Sequence, residues 1–400
     1  MAVETKHKCN VGLTGNSAVA YAMKQINPDV VAAYPITPST TVMEEFSSYV
    51  ADGAVDTELV TVESEHSAMS ACIGAAAAGA RVMTATSSQG LALMWEMLYI
   101  AAGMRLPIVM ACVNRALSAP LNIHCDHSDS MGARDSGWIQ LYSETVQEAY
   151  DNIIQAVRIA EHEDVLLPVM VCLDGFITSH SIENLCLIDN DKVKGFVGEY
   201  KPNQPSLLDV EHPATYGAVA LPDSYIEARR QQSEAMKLAK DVITDVGKAF
   251  EKVSGRSYGL MEKYRMDDAE VAMVILSSAA GTSKVAVDEM RKRGAKAGLI
   301  KPRVFRPFPY LEIGEALKNI KAVAVLDRAD SYSSFGGPLF TEIRSGLYEF
   351  DKRPKIIGRV FGLGGRDYGV HDALAVFEEL LRIKDTGKVD KLFDYITVRE

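Results

Sequence analysis

The chain reads as an α/β protein with two parallel-sheet units, the second smaller than the first. Three features carry that reading. Short, continuously apolar runs such as "LPIVMACV" (Leu106–Val113) and "LLPVMVCL" (Leu166–Leu173) alternate with amphipathic stretches, the pattern of strands covered on both faces. The alternation dissolves between Asp189 and Asp223 into a loop rich in Pro, Asn and Asp, and resumes after a polar break at Tyr264–Ala269. A length of 400 residues also exceeds what one core usually organises. The expected division is residues 1–265 and 266–400.

The elements follow in order. "PDVVAA" is a short strand, punctuated by Pro28 and Asp29 and carrying β-branched Val30 and Val31. After it, Val42, Met43 and Phe46 recur at helical spacing. Thr37 would cap that helix, near Thr37–Val50, with Pro38 at its first position. "ELVTVE" is a strand, and a helix from Glu65 to Ala78 stops at Gly79. "RVMTAT", the helix "GLALMWEMLYIAAG" (Gly90–Gly103) and "LPIVMACV" come next. A polar loop from Asn114 to about Gly137, a helix near Thr145–His162 and "LLPVMVCL" complete the first alternation. A charged helix near Tyr225–Lys252 leads to the second run, with strands at "VAMVILSS", "AKAGLIKP", "KAVAVLDR" and "KIIGRVF". Helices at "TSKVAVDEMRKRG" and Pro338–Phe350 separate them.

Composition removes some functions. A net charge of −11 argues against nucleic acid or an anionic membrane as the main partner. The most apolar helical stretch, Gly90–Gly103, is too short to span a bilayer and carries Glu96. "MAVETKHKCNVGLTG" lacks the apolar core of a signal peptide, so a cytoplasmic location is expected. Six cysteines (Cys9, Cys72, Cys112, Cys125, Cys172, Cys186) form no C-x-x-C pair. Their spacing encodes neither a disulfide framework nor an iron–sulfur cluster.

The glycine clusters "GLTGNSA" (Gly12–Ala18) and "GLGGRDYG" (Gly362–Gly369) lack the dinucleotide and P-loop spacings and read as turns. In "NIHCDHSDSMGARD" (Asn122–Asp135), His124, Cys125, Asp126, His127 and Asp129 are metal-ligand types. Crowded into one loop, they fit a hydrogen-bonded polar turn better than a convergent metal site, and no metal is expected. In "VESEHSAMSACIGAAAAGA", Glu63, Glu65 and His66 open a helix of small residues. A carboxylate there ordinarily complements the helix dipole, but buried beside a flat ligand it could exchange a proton with a ring nitrogen. Arg115 directly follows a strand and offers two parallel donors to a carboxylate. Tyr34–Thr37, Glu65, Ser87–Gln89 and Arg115 all fall at strand carboxyl ends, where α/β sheets bind ligands.

The blocks "YPITPST" (Tyr34–Thr40), "ESEHSA" (Glu63–Ala68), "TSSQGLALMWE" (Thr86–Glu96) and "NRALSAPLNIHCDHSDSMGARDSGWIQ" (Asn114–Gln140) carry a resemblance. With "LIKPRVFRPFP" (Leu299–Pro309) and "SFGGPLFTEI" (Ser334–Ile343), they resemble the α subunits of pyruvate:ferredoxin oxidoreductases, within the 2-oxoacid:ferredoxin oxidoreductase superfamily. The resemblance implies a thiamine diphosphate enzyme, its first unit of the pyrimidine-binding type and its second like a transketolase C-terminal domain. It implies that Glu65, with Glu63 as the lesser candidate, bonds the pyrimidine N1′ and so promotes deprotonation of the thiazolium. It further implies that Tyr34, Pro35 and Ile36 lie against the cofactor. Thr37 and Arg115 would hold the 2-oxoacid, Pro35 and Pro38 keeping Thr37 in place. The reaction implied is oxidative decarboxylation of pyruvate to acetyl-CoA with coenzyme A, electrons passing to ferredoxin. The family's Gly-Asp-Gly magnesium–diphosphate motif is missing here, as are cluster cysteines. Mg2+ and 4Fe–4S clusters are therefore expected on partners: a β, a γ and a ferredoxin-like δ subunit. Branched-chain 2-oxoacid relatives share "RALSAP" and remain an alternative, as does a non-catalytic scaffold subunit. A nucleotide-binding dehydrogenase is disfavoured by the missing glycine fingerprint.

Overall fold

The structure, a computed structural model, describes residues 8–399. Residues 1–7, part of the stretch read above for a signal-like core, lie outside it. The first half comprises β1 (Lys8–Thr14), α1 (Gly15–Ile26), β2 (Val30–Ala33), α2 (Thr40–Ala51), β3 (Glu58–Thr61) and α3 (Glu65–Ala77). There follow β4 (Val82–Thr86), α4 (Ser88–Leu93), α5 (Trp95–Gly103), β5 (Val109–Asn114), α6 (Ser128–Gly132), β6 (Ile139–Tyr142) and α7 (Val146–Ala160). Then come β7 (Val169–Asp174), β8 (Ile182–Leu187), α8 (Asn190–Val197) and α9 (Tyr225–Ser254). The second half runs β9 (Met261–Tyr264), β10 (Val271–Ile275), α10 (Ala279–Lys292), β11 (Ala297–Pro302), β12 (Val304–Arg306), α11 (Tyr310–Leu317) and β13 (Ala322–Asp327). It ends with α12 (Pro338–Tyr348), β14 (Lys355–Val360), α13 (Val370–Thr386) and β15 (Phe393–Tyr395).

One seven-stranded sheet has the order β12-β6-β7-β5-β4-β2-β3, and a six-stranded sheet the order β15-β14-β13-β10-β11-β9. Each is parallel except for one edge strand, β12 against β6 and β9 against β11. Those two edge strands are exchanged. β12 comes from the second half yet completes the first sheet, and β9, ahead of residue 265, pairs with the second. The central strands β4, β5, β7, β10 and β13 are buried at every residue, as a sheet with helices on both faces requires.

The core falls into three layers. Helices α1, α7 and α9 cover the outer face of the first sheet, with Met23, Ile153, Ile243 and Phe250 among the buried residues. Between the sheets one continuous cluster joins Met69, Leu98 and Trp138 of the first half to Phe305, Leu317 and Phe340 of the second. Helices α10 and α13 cover the far face of the second sheet. The charged α9 is a packed strut rather than a free one. Its apolar stripe runs through Ala239, Val242, Val246 and Phe250, at helical spacing.

Three stretches differ from the sequence reading. The helix expected from Thr37 starts at Thr40, because the Pro38 carbonyl accepts from Asn16 Nδ2 at 2.7 Å and Ser39 N turns back to Ile36 O at 2.8 Å. "GLTGNSA" ends a strand and opens α1, with Thr14 Oγ1 capping Ser17 N at 3.1 Å. The expected loops contain α6 and α8, and much of the first is buried, including Cys125, His127 and Asp129.

At the seam between the sheets Asp174, fully buried at the end of β7, gathers donors from both halves. It accepts from His127 Nε2 at 2.7 Å, Ser277 Oγ at 2.9 Å, Ser278 Oγ and Arg328 Nη1 at 2.9 Å. Burial alone would raise its pKa, but the Arg328 guanidinium and His127 hold the carboxyl well below the usual range. A depressed carboxylate contributes stability above its unfolded pKa of about 4 and loses it as pH falls through the folded value. Asp174→Asn would leave Arg328 buried and unpaired, so the folded state should lose about 3 kcal/mol or more at neutral pH. The gap should narrow progressively in acid. Denaturant unfolding of both forms across pH checks this, and equal midpoints at pH 7 would refute it.

Candidate active site

The residues singled out from sequence line up along one rim. Tyr34–Thr37 follows β2, Glu65 follows β3, Ser87–Gln89 follows β4 and Arg115 follows β5. These four strands are parallel and consecutive in the sheet, in the order β5-β4-β2-β3, so their carboxyl ends share one edge.

Arg115 and Thr37 are brought into contact. The guanidinium Nη1 donates to the Thr37 carbonyl at 2.8 Å and Nε to the Asn122 carbonyl at 3.0 Å. Its Nη2 has no partner among the described residues, although Arg115 is only 8% exposed. A guanidinium carries five N–H donors in a planar fork. Two nitrogens are thus used for orientation while the Nη2 side keeps donors for a ligand. Thr37 itself is exposed, as are Tyr34 and Pro35, while Pro38 is buried. The Thr37–Pro38 peptide is cis.

Glu65 is the first residue of α3, whose N-cap Ser64 accepts from Ser67 N. Its side chain is buried at 7% exposure, and no donor among the described residues reaches its carboxylate. Glu63, by contrast, is exposed and accepts from Ser67 Oγ at 2.8 Å. Glu65 lies against Gly90 of α4. A Cβ at Gly90 would stand 2.7 Å from Glu65 Oε1 and 2.5 Å from Thr86 Oγ1. Thr86 Oγ1 and the neighbouring Ser87 Oγ are themselves buried without a hydrogen-bond partner. A buried carboxylate and two orphaned hydroxyls, with glycine giving them room, suit a bound polar heterocycle that supplies the missing partners.

Asp129 ties these corners together, a role the sequence did not announce. Its carboxylate accepts from Ser88 N at 3.0 Å, Arg115 N at 2.9 Å, Asn114 Nδ2 at 2.8 Å and Ser130 N at 2.7 Å. Burial pushes its pKa up to about 6 against the pull of those donors. Ser88 adopts a left-handed φ of 46°, and its Oγ also donates to Ala116 O at 2.6 Å. Strained backbone of this kind persists where surrounding contacts fix it. The other ligand types of the loop do not converge on one point. Cys125 and His127 lie with Asp174, where Arg328 already donates to the carboxylate, whereas Asp126 accepts from Ser128 N and Gly364 N.

A family model described as pyruvate flavodoxin/ferredoxin oxidoreductase, thiamine diphosphate-binding, matches residues 21–248. A second, for pyruvate:ferredoxin oxidoreductase core domain II, matches residues 269–373. The chain belongs to this oxidoreductase family. Its relatives include pyruvate synthase subunit PorA of Thermotoga maritima, 57% identical over 93% of this chain and 94% of that one. Ketoisovalerate oxidoreductase subunit VorA of Pyrococcus abyssi is 46% identical over 95% of each. Among solved structures, 2-oxoglutarate:ferredoxin oxidoreductase of Magnetococcus marinus superposes with a TM-score of 0.72 at 21% identity. That likeness covers 94% of this chain and 66% of the longer one, and it reports the fold. The rim just described lies within the stretch that the thiamine diphosphate-binding family model matches. No helix among the described residues is long and apolar enough to cross a membrane.

Proposed function

We propose that this chain is the α subunit of a cytoplasmic pyruvate:ferredoxin oxidoreductase. In the complex, pyruvate, coenzyme A and oxidised ferredoxin give acetyl-CoA, carbon dioxide and reduced ferredoxin, reversibly. The single observation that carries the proposal is Arg115, buried and oriented by two carbonyls, with Nη2 left over for a 2-oxoacid carboxylate. Thiamine diphosphate, when bound, supplies the carbanion-stabilising electron sink that decarboxylation of a 2-oxoacid needs. Glu65 would hold or release a proton at the aminopyrimidine N1′, its carboxylate having no competing donor among the described residues. Tyr34, Pro35 and Ile36 would flank the same ring. Thr37 would offer its hydroxyl to the substrate, its carbonyl being engaged by Arg115. Burial of the site under a partner would exclude water and strengthen each of these charge-assisted bonds.

The partners follow from what the chain lacks. Large apolar side chains stand exposed on the segments leaving the carboxyl ends of β4, β5 and the neighbouring parallel β7: Leu93 at 51%, Trp95 at 45%, Leu121 at 75% and Ile177 at 41%. Exposed apolar groups around a polar site suit a covering subunit. A β subunit would bring the diphosphate and Mg2+ half, with γ and ferredoxin-like δ subunits carrying the 4Fe–4S relay to ferredoxin. The identity to the PorA relative, higher than to VorA, favours pyruvate over branched-chain 2-oxoacids. The test is anaerobic viologen reduction by the complex that co-purifies with this chain, with coenzyme A and pyruvate, 2-oxoisovalerate or 2-oxoglutarate. Pyruvate should be strongly preferred. Preference for 2-oxoisovalerate would change the substrate, and no oxidation of any 2-oxoacid would remove the enzymatic reading.

A further inference from the structure

We propose that the glycine turn Gly362–Gly365 of the second half positions Arg115 through Asn122, so that the smaller unit sets the affinity for the 2-oxoacid. The inference rests on the reading of Arg115 as the carboxylate ligand. Asn122 faces both ways. Its carbonyl accepts from Arg115 Nε at 3.0 Å, while its side-chain Nδ2 donates to the Gly364 carbonyl at 2.9 Å. Around that link the turn grips the rest of the loop: Gly364 N donates to Asp126 Oδ2 at 3.1 Å and Gly365 N to the Cys125 carbonyl at 2.6 Å.

The turn has the shape of the loop it holds. Gly362, Gly364 and Gly365 have φ of 64°, 59° and 79°, conformations that glycine adopts without steric cost. A Cβ on Gly364 would lie 2.4 Å from Asn122 Nδ2, and one on Gly365 2.4 Å from His124 Cβ. Neither position therefore accommodates a side chain while the loop keeps its place. Left to itself, a surface segment such as Leu121–His124, with Leu121 and Ile123 exposed, would be mobile. A carbonyl on a mobile segment would leave the guanidinium held by the Thr37 carbonyl alone, and part of the ordering cost would then fall on substrate binding. Docked on the second half, Asn122 holds Arg115 in place before substrate arrives. Asn122 and Gly364 are in this sense positioning residues, acting through Arg115.

The experiment uses the complete complex carrying Gly364→Ala, Asn122→Asp, Arg115→Ala, and each of the first two combined with Arg115→Ala. Gly364→Ala pushes against Asn122. Asn122→Asp, at a half-buried position, keeps the acceptor for His124 N but loses the donor to Gly364, and so tests the same link if the alanine variant misfolds. Each should raise the KM for pyruvate about tenfold, leave the KM for coenzyme A unchanged and alter kcat by less than about twofold. Equilibrium binding of pyruvate without coenzyme A should weaken in parallel. In the Arg115→Ala background neither should have any further effect, because their influence passes through that side chain. A KM rise of the same size with and without Arg115, or no rise in either variant, overturns the proposal. If Arg115→Ala itself leaves the KM of every 2-oxoacid unchanged, the reading of Arg115 fails and the proposal with it, a result distinct from additivity.

Discussion

Arg115→Ala should raise the KM for pyruvate by about a hundredfold or more while changing kcat far less, since two charge-assisted hydrogen bonds contribute about 1.5–3 kcal/mol each and about 1.4 kcal/mol corresponds to a factor of ten. The guanidinium would meet the carboxylate of substrate and transition state alike, so its removal acts mainly on binding. The corner should survive the change. The backbone N of Arg115 stays bonded to Asp129 Oδ2 at 2.9 Å, and Asn114 keeps its own bonds to Asp129 and Ser130. Arg115→Lys should recover only part of the loss, because an ammonium is a point charge without the planar fork. Steady-state viologen reduction over a wide pyruvate range measures both constants. A wild-type KM in the alanine variant would exclude Arg115 as the carboxylate ligand.

Glu65→Gln should behave in the opposite way, cutting kcat by about a hundredfold to ten-thousandfold with little change in the KM for pyruvate. The amide preserves the shape packed against Gly90, so the contrast isolates the capacity to take and return a proton. A thiamine diphosphate titration separates the two parts of the effect. Weaker cofactor binding reports the lost bond, while a turnover defect that persists at saturating cofactor reports the lost proton. Full turnover in the glutamine variant would transfer the role away from Glu65, and the exposed Glu63 would not be an equivalent replacement.

How far the sequence revealed these features depends on the range of the interactions that make them. The strands β2, β4, β5 and β7 were readable because a buried parallel strand is a nearly continuous apolar run, and Val109–Asn114 and Val169–Asp174 are buried at every residue. Helix α3 was readable from its Glu65 start and its Gly79 stop. Local chemistry also placed Tyr34–Thr37, Glu65 and Arg115 at strand ends, but the contact of Arg115 with Thr37 reaches across the end of β4, which separates β5 from β2, and only the fold reveals it. What escaped was non-local. The antiparallel ribbon of β1 with β8 joins residues such as Gly12 and Asn184, a pairing no short window contains. Asp129 looked like one more polar residue in a crowded loop, and only the fold reveals the four donors converging on it. Likewise "GLGGRDYG" was legible as a turn but not as a surface moulded to Asn122 and His124, because its partner lies some 240 positions away in the chain.

The exchange of edge strands has a practical consequence. A protease cut or gene split near residue 265 would not yield two self-sufficient pieces. The first fragment would keep β9 without the sheet it belongs to and would leave β6 as a bare edge. The second would carry β12 away from its own pairing and expose β11. Unpaired edges of this kind recruit whatever strand is at hand, so isolated halves would be prone to clump, whereas halves produced together in one cell could find each other by the same two pairings. The molecule is fastened like two interlocked clasps, each held shut by a piece of the other.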